Sequence, residues 1–481
     1  MRSANVLQSW VAFTGRSGRV RCMRFIGRHD ATRSGLYRCG IVRYRARPPT
    51  LIAIPVCNEA ERIGACLAGL AAQDEPGPAS VLLFLNNCTD ETAAIAAGWR
   101  GDGRLRLRLE DVSLPPDLAS AGMARSMAMR QAASIAAQAG LDDYVLLTSD
   151  ADSVAPPGWV RANLDAIAAG ADAVCGRAVI DPTDAALIPP RLHDDDRREC
   201  AYGTMLDEIA WLLDPDPADP WPRHTENSGA SIAVTGAAHA AAGGVPAIGS
   251  GEDRAFVAAL RRIDARVRHA REVEVTVSGR IVGRAQGGMA DTIRRRLLAP
   301  DPFLDDRLEC VADAVRRARL RQRLRGIHAR RHAATLGPEL VSSLGIDRQH
   351  LASLLDAPHF GMAWESIEAA SPALRRAPVP AGWLAPETTR ARAVLRQLRR
   401  LAHPAQQEIE PVAGIVIDPA VLPGPAAIPA ARQHPGDKQI GRGIARKDGA
   451  GSAAPVRQND QSVLGQPFAR QPGATGDIRG G

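Results

Sequence analysis

Short apolar runs, each closed by a polar turn and followed by a helical repeat, recur through the first part of this chain and restrict it to an α/β fold built on a parallel sheet. The first case is "TLIAIPVCNEAERIGACLAGLAAQ". Leu51 to Val56 is apolar throughout rather than alternating, which suits a strand buried on both faces. Asn58 stands where it can cap a helix, and Ile63, Cys66, Leu67 and Leu70 repeat with helical spacing. The unit returns with Val81 to Leu85 as strand and Thr89 to Ala97 as helix. It returns again with "LASAGMARSMAMRQAASIAAQAG" leading to "YVLLTSD", and with "PPGWVRANLDAIAAG", a helix opened by Pro156 and Pro157, leading to "ADAVCGRAVI". An amphipathic helix follows from Arg197 to Leu213, then a strand in "ASIAVTG" and a loop feeding a helix in "SGEDRAFVAALRRIDA". The alternation predicts an open, mostly parallel, Rossmann-like sheet flanked by helices.

The flanks read differently. Residues 1–47 hold eleven arginines and a single acid, Asp30, with no sustained period, and residues 403–481 are rich in Pro, Gly, Gln and Ala; both are expected to be disordered. Residues 48–290 form the expected main domain, and residues 291–402 an arginine-rich helical extension. All but two of the 60 basic side chains are arginine, the exceptions being Lys438 and Lys447. A formal charge of +7 suits an anionic nucleotide substrate, a membrane surface or nucleic acid. An arginine-rich nucleic-acid binder is opposed by the dispersal of the arginines and by 4% aromatics, too few for a base-stacking platform. Eight cysteines without a CxxC pair point to reduced thiols and a cytoplasmic protein. No apolar run approaches the ~18 residues of a membrane span, so at most peripheral contact with a membrane is expected.

In open α/β sheets ligands bind where strands end and loops lead into helices, and four polar clusters fall at such places. "PVCNEAERI" puts Asn58 and Glu59 after the first strand, and "LNNCTDETA" puts Asn86, Asn87, Thr89 and Asp90 after the second. Each is also an ordinary capping turn with acids suited to a helix start. "SDADS" sets Asp150 and Asp152 at the end of a buried strand, either to hold a divalent cation through oxygen ligands or to cap the next helix. "GSGEDRAF" sets Glu252 and Asp253 at a helix start, as a general base or as compensation of the helix dipole.

The ordered series "PVCNEAERI", "LNNCTDETA", "AGMARSMAMRQA", "LLTSDADS" and "GEDRAF" resembles the motif series of family 2 glycosyltransferases of the GT-A fold, of bacterial soluble type, over roughly residues 50–290. The resemblance implies a nucleotide-diphospho-sugar donor, a hydroxyl acceptor and inversion by single displacement. It places Pro55, Asn58 and Glu59 on the nucleotide-binding side, and Asn87 where the family usually has an aspartate that reads the base. Arg125 matches an arginine that contacts the diphosphate or base, here followed by Ser126 instead of asparagine. Asp150 and Asp152 match the DxD motif that holds Mn2+ or Mg2+, with Asp150 also on the donor side. Asp253 matches the catalytic base, with Glu252 beside it. His269 is a candidate to complete the metal shell, and the two arginines of "SGRIVGRAQGG" to close over a diphosphate. His224 and Glu226 are candidates for acceptor contact, whereas Trp211 and Trp221 suit the core better. A sugar-phosphate nucleotidyltransferase is the alternative enzyme, but the glycine-rich loop it requires near the first strand is missing from "IPVCNEAER".

Overall fold

The computed structural model describes residues 8–14, 20–26, 47–283, 288–330 and 336–402. In the N-terminal extension two strands, β1 (Gln8–Thr14) and β2 (Val20–Ile26), pair antiparallel from Gln8↔Ile26 to Thr14↔Val20. The rest of that extension and the tail from residue 403, both expected to be disordered, lie outside the described residues.

The body is a seven-stranded sheet in the order β5-β4-β3-β6-β8-β7-β9. Its strands are β3 (Thr50–Val56), β4 (Ala79–Asn86), β5 (Leu105–Val112), β6 (Val145–Thr148), β7 (Ala173–Ile180), β8 (Ile232–Thr235) and β9 (Val267–Val277). β8 runs antiparallel to both neighbours and every other pairing is parallel. The apolar runs explain the centre, because successive side chains of one strand feed opposite faces. Ile52, Ile54, Leu83, Val145 and Leu147 enter one core with the helices Ile63–Ala71 and Trp159–Ala168. Ala53, Leu82, Phe84 and Leu146 enter the other, with the helices Ala121–Gln138 and Glu252–Arg262.

Two strands are not visible as apolar runs, and both are edges. In β5 the leucines Leu105, Leu107 and Leu109 face inward while Arg106 and Arg108 are exposed. β9 alternates in the same way through "REVEV", and its register with β7 shifts between Cys175↔His269 and Arg177↔Glu274, with the extra residues on β9. Arginine and glutamate on an edge keep it solvated and discourage strand addition. The helix expected to open on Pro156 and Pro157 begins only at Trp159; Trp159 N–H donates to the Pro156 carbonyl at 3.0 Å, so the prolines shape the turn before it. The helix expected from Arg197 starts earlier, at Pro190, and runs to Leu213.

The described helices after residue 290 belong to the same compact unit as the sheet. Helices Val311–Arg330 and Leu384–Ala402 pack on Pro190–Leu213. That seam is fixed by ion pairs: Arg321 and Arg325 each meet Asp214 at 2.6 Å, and Arg399 grips both oxygens of Glu208 at 2.6 and 2.7 Å. The helix Phe360–Ala370 sits at the end of Glu252–Arg262. There Asp264, at φ 56°, accepts the backbone N–H groups of Phe360 and Gly361, each at 2.8 Å, and so caps a helix remote in sequence. A Cβ on Gly361 would fall 1.8 Å from the Arg261 carbonyl oxygen, so only glycine permits this approach.

Candidate active site

β4, β3 and β6 are neighbours and parallel, so the loops after Asn86, Val56 and Thr148 emerge side by side at one edge of the sheet. Pro55 lies in β3 opposite Phe84, past Ala53↔Thr148, the last pair with β6, where a missing N–H is tolerated in a central strand. The first two loops begin alike, with Asn58 at φ 54° and Asn87 at φ 53°, a left-handed turn that asparagine accepts more readily than most residues. Asn58 does not cap a helix as expected. The helix begins at Ile63, and the Asn58 side-chain oxygen accepts from Thr89 N–H at 2.7 Å across to the next loop. Two further bonds stitch these loops: Glu59 N–H to Thr92 Oγ1 at 2.7 Å and Ala60 N–H to Asp90 at 3.2 Å. Asn87 donates to the Leu114 carbonyl and accepts its N–H, both at 2.9 Å. Its amide oxygen and nitrogen thus each make one bond to the Leu114 backbone.

Arg125, expected to contact a donor, is instead a buried hub whose side chain is 6% exposed. Nε donates to Glu252 at 2.9 Å, and Nη1 to Thr148 Oγ1 at 2.8 Å and the Gly229 carbonyl at 2.9 Å. Nη2 donates to Asp150. Burial opposes the charge on this guanidinium, but Asp150 and Glu252 more than offset it and its pKa is raised. The close fit excludes a side chain at position 229, where a Cβ would meet the guanidinium at 2.7 Å. Gly229 also donates its N–H to Asp253 at 2.9 Å, and Arg254 N–H donates to the other Asp253 oxygen at 2.7 Å. A continuous chain of contacts thus runs from Asp150 through Arg125 and Gly229 to Asp253. Glu252, buried, is the counter-ion of Arg125, whereas Asp253 is partly exposed at the start of its helix.

On the other side of the aspartate turn stands Arg280, on the loop after β9. Nη1 and Nη2 donate to the two oxygens of buried Glu59 at 2.8 and 2.7 Å, and Nη2 lies 3.1 Å from Asp152. Asp184 anchors this loop, accepting Gly279 N–H at 2.8 Å and Ser278 Oγ–H at 3.2 Å while it pairs with Arg62. Four carboxylates, Glu59, Asp150, Asp152 and Glu252, face two guanidiniums. Burial and the neighbouring Asp150 push the Asp152 carboxyl up to about 6 in spite of Arg280. Burial, reinforced by Asp152 and Asp150, pushes the nearby Cys66 thiol up to about 12, so it is a packing residue and no nucleophile.

His269 stands apart from the aspartate pair. It is fully buried, its Nδ1 lies 2.7 Å from Asp219, its backbone N–H donates to the same carboxylate at 2.8 Å, and Nε2 lies 3.0 Å from Asn227. Both ring nitrogens are occupied by protein partners, which corrects its candidacy for a metal shell. Among the described residues no group of three or more His, Cys, Asp and Glu side chains is arranged to hold a metal. His224 Nε2 lies 3.2 Å from the Ala270 carbonyl and Nδ1 accepts Glu226 N–H at 3.2 Å, while Glu226 accepts Ala178 N–H at 3.2 Å. Those two residues brace the loop before Gly229. Arg284, the second arginine of the loop after β9, lies outside the described residues. Arg280 is one of the two arginines expected to close over a diphosphate, whereas Asp184 and Asp219 carry no separate signal beyond charge near prolines, because their partners lie far away in sequence.

Residues 51–211 match the family model described as glycosyl transferase family 2. The match includes Asn58, Glu59, Asn87, Arg125, Asp150 and Asp152 and stops before Glu252, Asp253 and Arg280. A comparison with curated proteins finds no match. Among solved structures the chain is similar to S. aureus TarS in complex with UDP-GlcNAc, at 16% identity over 73% of this chain and 92% of that one, with a TM-score of 0.38. It is similar to the mannosyltransferase PcManGT of Pyrobaculum calidifontis in complex with GDP-Man and Mn2+, at 17% identity over 74% and 83%, with a TM-score of 0.33. It is also similar to glucosyl-3-phosphoglycerate synthase of Mycobacterium tuberculosis in complex with Mn2+, UDP and phosphoglyceric acid, at 15% identity over 53% and 78%, with a TM-score of 0.30. At such scores the weight rests on the strand order of this chain and on the family model. Among the described residues no helix is long and apolar enough to cross a membrane.

Proposed function

We propose that this chain, which carries a family 2 glycosyltransferase domain of the GT-A type, transfers a sugar from a nucleotide-diphospho-sugar to an acceptor hydroxyl with inversion, using Asp253 as the base and Asp150 and Asp152 as ligands of Mn2+ or Mg2+. The observation that carries this reading is the chain Asp150–Arg125–Gly229–Asp253, which fixes a candidate metal ligand and a candidate base to one buried guanidinium.

The acidic pair fits a hard divalent cation. Its ligands are oxygens, Arg125 engages one oxygen of Asp150 and Arg280 one of Asp152, and the excess of carboxylates over guanidiniums calls for added positive charge. One or two carboxylates with the rest of the shell from phosphates and water is the usual way Mg2+ is held beside a nucleotide. When bound, the cation supplies charge neutralisation for the departing diphosphate. Every other part belongs to the chain itself. Asp253 accepts the proton of the acceptor hydroxyl as that oxygen attacks the anomeric carbon, and the N–H groups of Gly229 and Arg254 hold its carboxylate in one orientation during the transfer. The acceptor is a small molecule, a saccharide or a lipid-linked hydroxyl. A reaction by single displacement needs no covalent enzyme intermediate.

Calorimetry with UDP-, GDP-, dTDP- and CDP-sugars, with and without Mn2+, tests the donor side. Asp152→Ala should abolish the metal-dependent part of binding, and retention of that part would remove the centre of the proposal. Asp253→Asn should lower turnover about 10²–10⁴-fold with donor binding intact, the range for a lost general base. Undiminished turnover would reassign the base.

A further inference from the structure

Arg280 and Arg125 flank the same pair of aspartates, but only Arg125 is enclosed. Arg125 spends its donors on a hydroxyl and backbone carbonyls as well as carboxylates, with 6% of its side chain exposed. The side-chain partners of Arg280 among the described residues are carboxylates alone, and 24% of its side chain is exposed. The residues that follow it, Ile281 and Val282, are 45% and 72% exposed, so no described residue packs over the segment on that side. Ser278 and Gly279 are fixed by Asp184, which gives Arg280 an anchored base, while its side chain stays partly exposed.

We propose that Arg280 is an exchangeable counter-cation: without donor its guanidinium holds Glu59 and Asp152 and competes with a divalent cation, and the donor diphosphate draws it away, so that metal and nucleoside diphosphate bind with positive coupling. The proposal rests on the reading of Asp150 and Asp152 as metal ligands. A guanidinium at 3.1 Å from Asp152 and a dication on the same carboxylate repel one another at short range, in a partly desolvated place where such repulsion is weakly screened. A diphosphate is the natural alternative partner, because its paired oxygens match the two-pronged donor geometry that Arg280 now presents to Glu59. The dication takes the place of the guanidinium beside Asp152, and the guanidinium meets the new anion. By linkage, each ligand then raises the affinity of the other by the same factor.

The test is titration calorimetry of Mn2+ into the full chain, alone and in the presence of UDP, GDP, dTDP or CDP, for the natural protein, Arg280→Gln and Arg280→Lys. The expected result is that Arg280→Gln binds Mn2+ alone about tenfold more tightly, since one repelling charge at this range is worth at least that factor, and loses most of the coupling to nucleotide. Arg280→Lys, which keeps the charge without the two-pronged contact, should fall between and controls for folding. If Arg280→Gln binds Mn2+ no more tightly than the natural protein while Asp152→Ala still abolishes binding, the exchange is wrong and the metal site stands. If the natural protein binds no Mn2+ with any of the four nucleotides, the metal site and the exchange fail together.

Discussion

The two sides of the aspartate turn are built from the same parts and to opposite ends. On one side Arg125 is sealed beneath Gly229 and joined to Thr148, Asp150 and Glu252; on the other Arg280 lies on a loop against Glu59 and Asp152 with its side chain partly exposed. A guanidinium whose donors are divided among hydroxyl, carbonyls and carboxylates cannot leave without stranding several groups, and it serves as a fixed frame. A guanidinium held by carboxylates alone can be replaced by another cation. Burial and partner chemistry, more than residue type, separate structure from exchange here.

Three substitutions probe that contrast, in falling order of effect. Arg125→Ala should cost about 3–5 kcal/mol, because buried Glu252 loses its counter-ion, and neither Mn2+ nor nucleotide should restore the loss; thermal or urea unfolding reads it. Rescue by Mn2+ would erase the distinction between the two sides. Gly229→Ala should cost about 1–3 kcal/mol by pressing on the enclosed guanidinium, and it should lower turnover more than donor affinity because the same backbone unit orients Asp253. An unchanged ratio of kcat to KM effects would detach Asp253 from the frame. Arg280→Gln should cost only about 1–2 kcal/mol in metal-free buffer, since glutamine can still donate to Glu59, and saturating Mn2+ with nucleotide should remove the difference in Tm. A deficit that persists under saturation would make Arg280 a second fixed frame.

The central strands could be read from the sequence because a strand covered on both faces must be apolar at every position, as in Leu51–Val56 and Val145–Leu147. The edges β5 and β9 could not, since half of their side chains face water and carry charge. Position also misled at the turns. Asn58 lies where a cap belongs but joins two loops, because its left-handed backbone turns the side chain toward Thr89. Sequence order located Asp150, Asp152 and Asp253 at strand and helix ends. It gave no access to the partners that define Arg125 and Arg280, since Glu59 and Arg280 are separated by 221 positions and meet only in the folded chain. The family resemblance placed Arg125 near a ligand; the fold shows it turned inward.

The seat of the helix Phe360–Ala370 on the end of Glu252–Arg262 bears on how such a protein can be recombined. The helix Glu252–Arg262, which carries Asp253, is held at its far end by Asp264 and the bare backbone of Gly361, so its tilt depends on residues far downstream of the family-matched segment. A chimera that grafts residues 51–211 onto the remainder of another protein would inherit the loops of Glu59, Asp150 and Asp152 but not the tilt of the helix that bears Asp253. The smallest transplantable piece therefore extends through the C-terminal helices, and modularity at the level of sequence families does not carry over to the setting of Asp253.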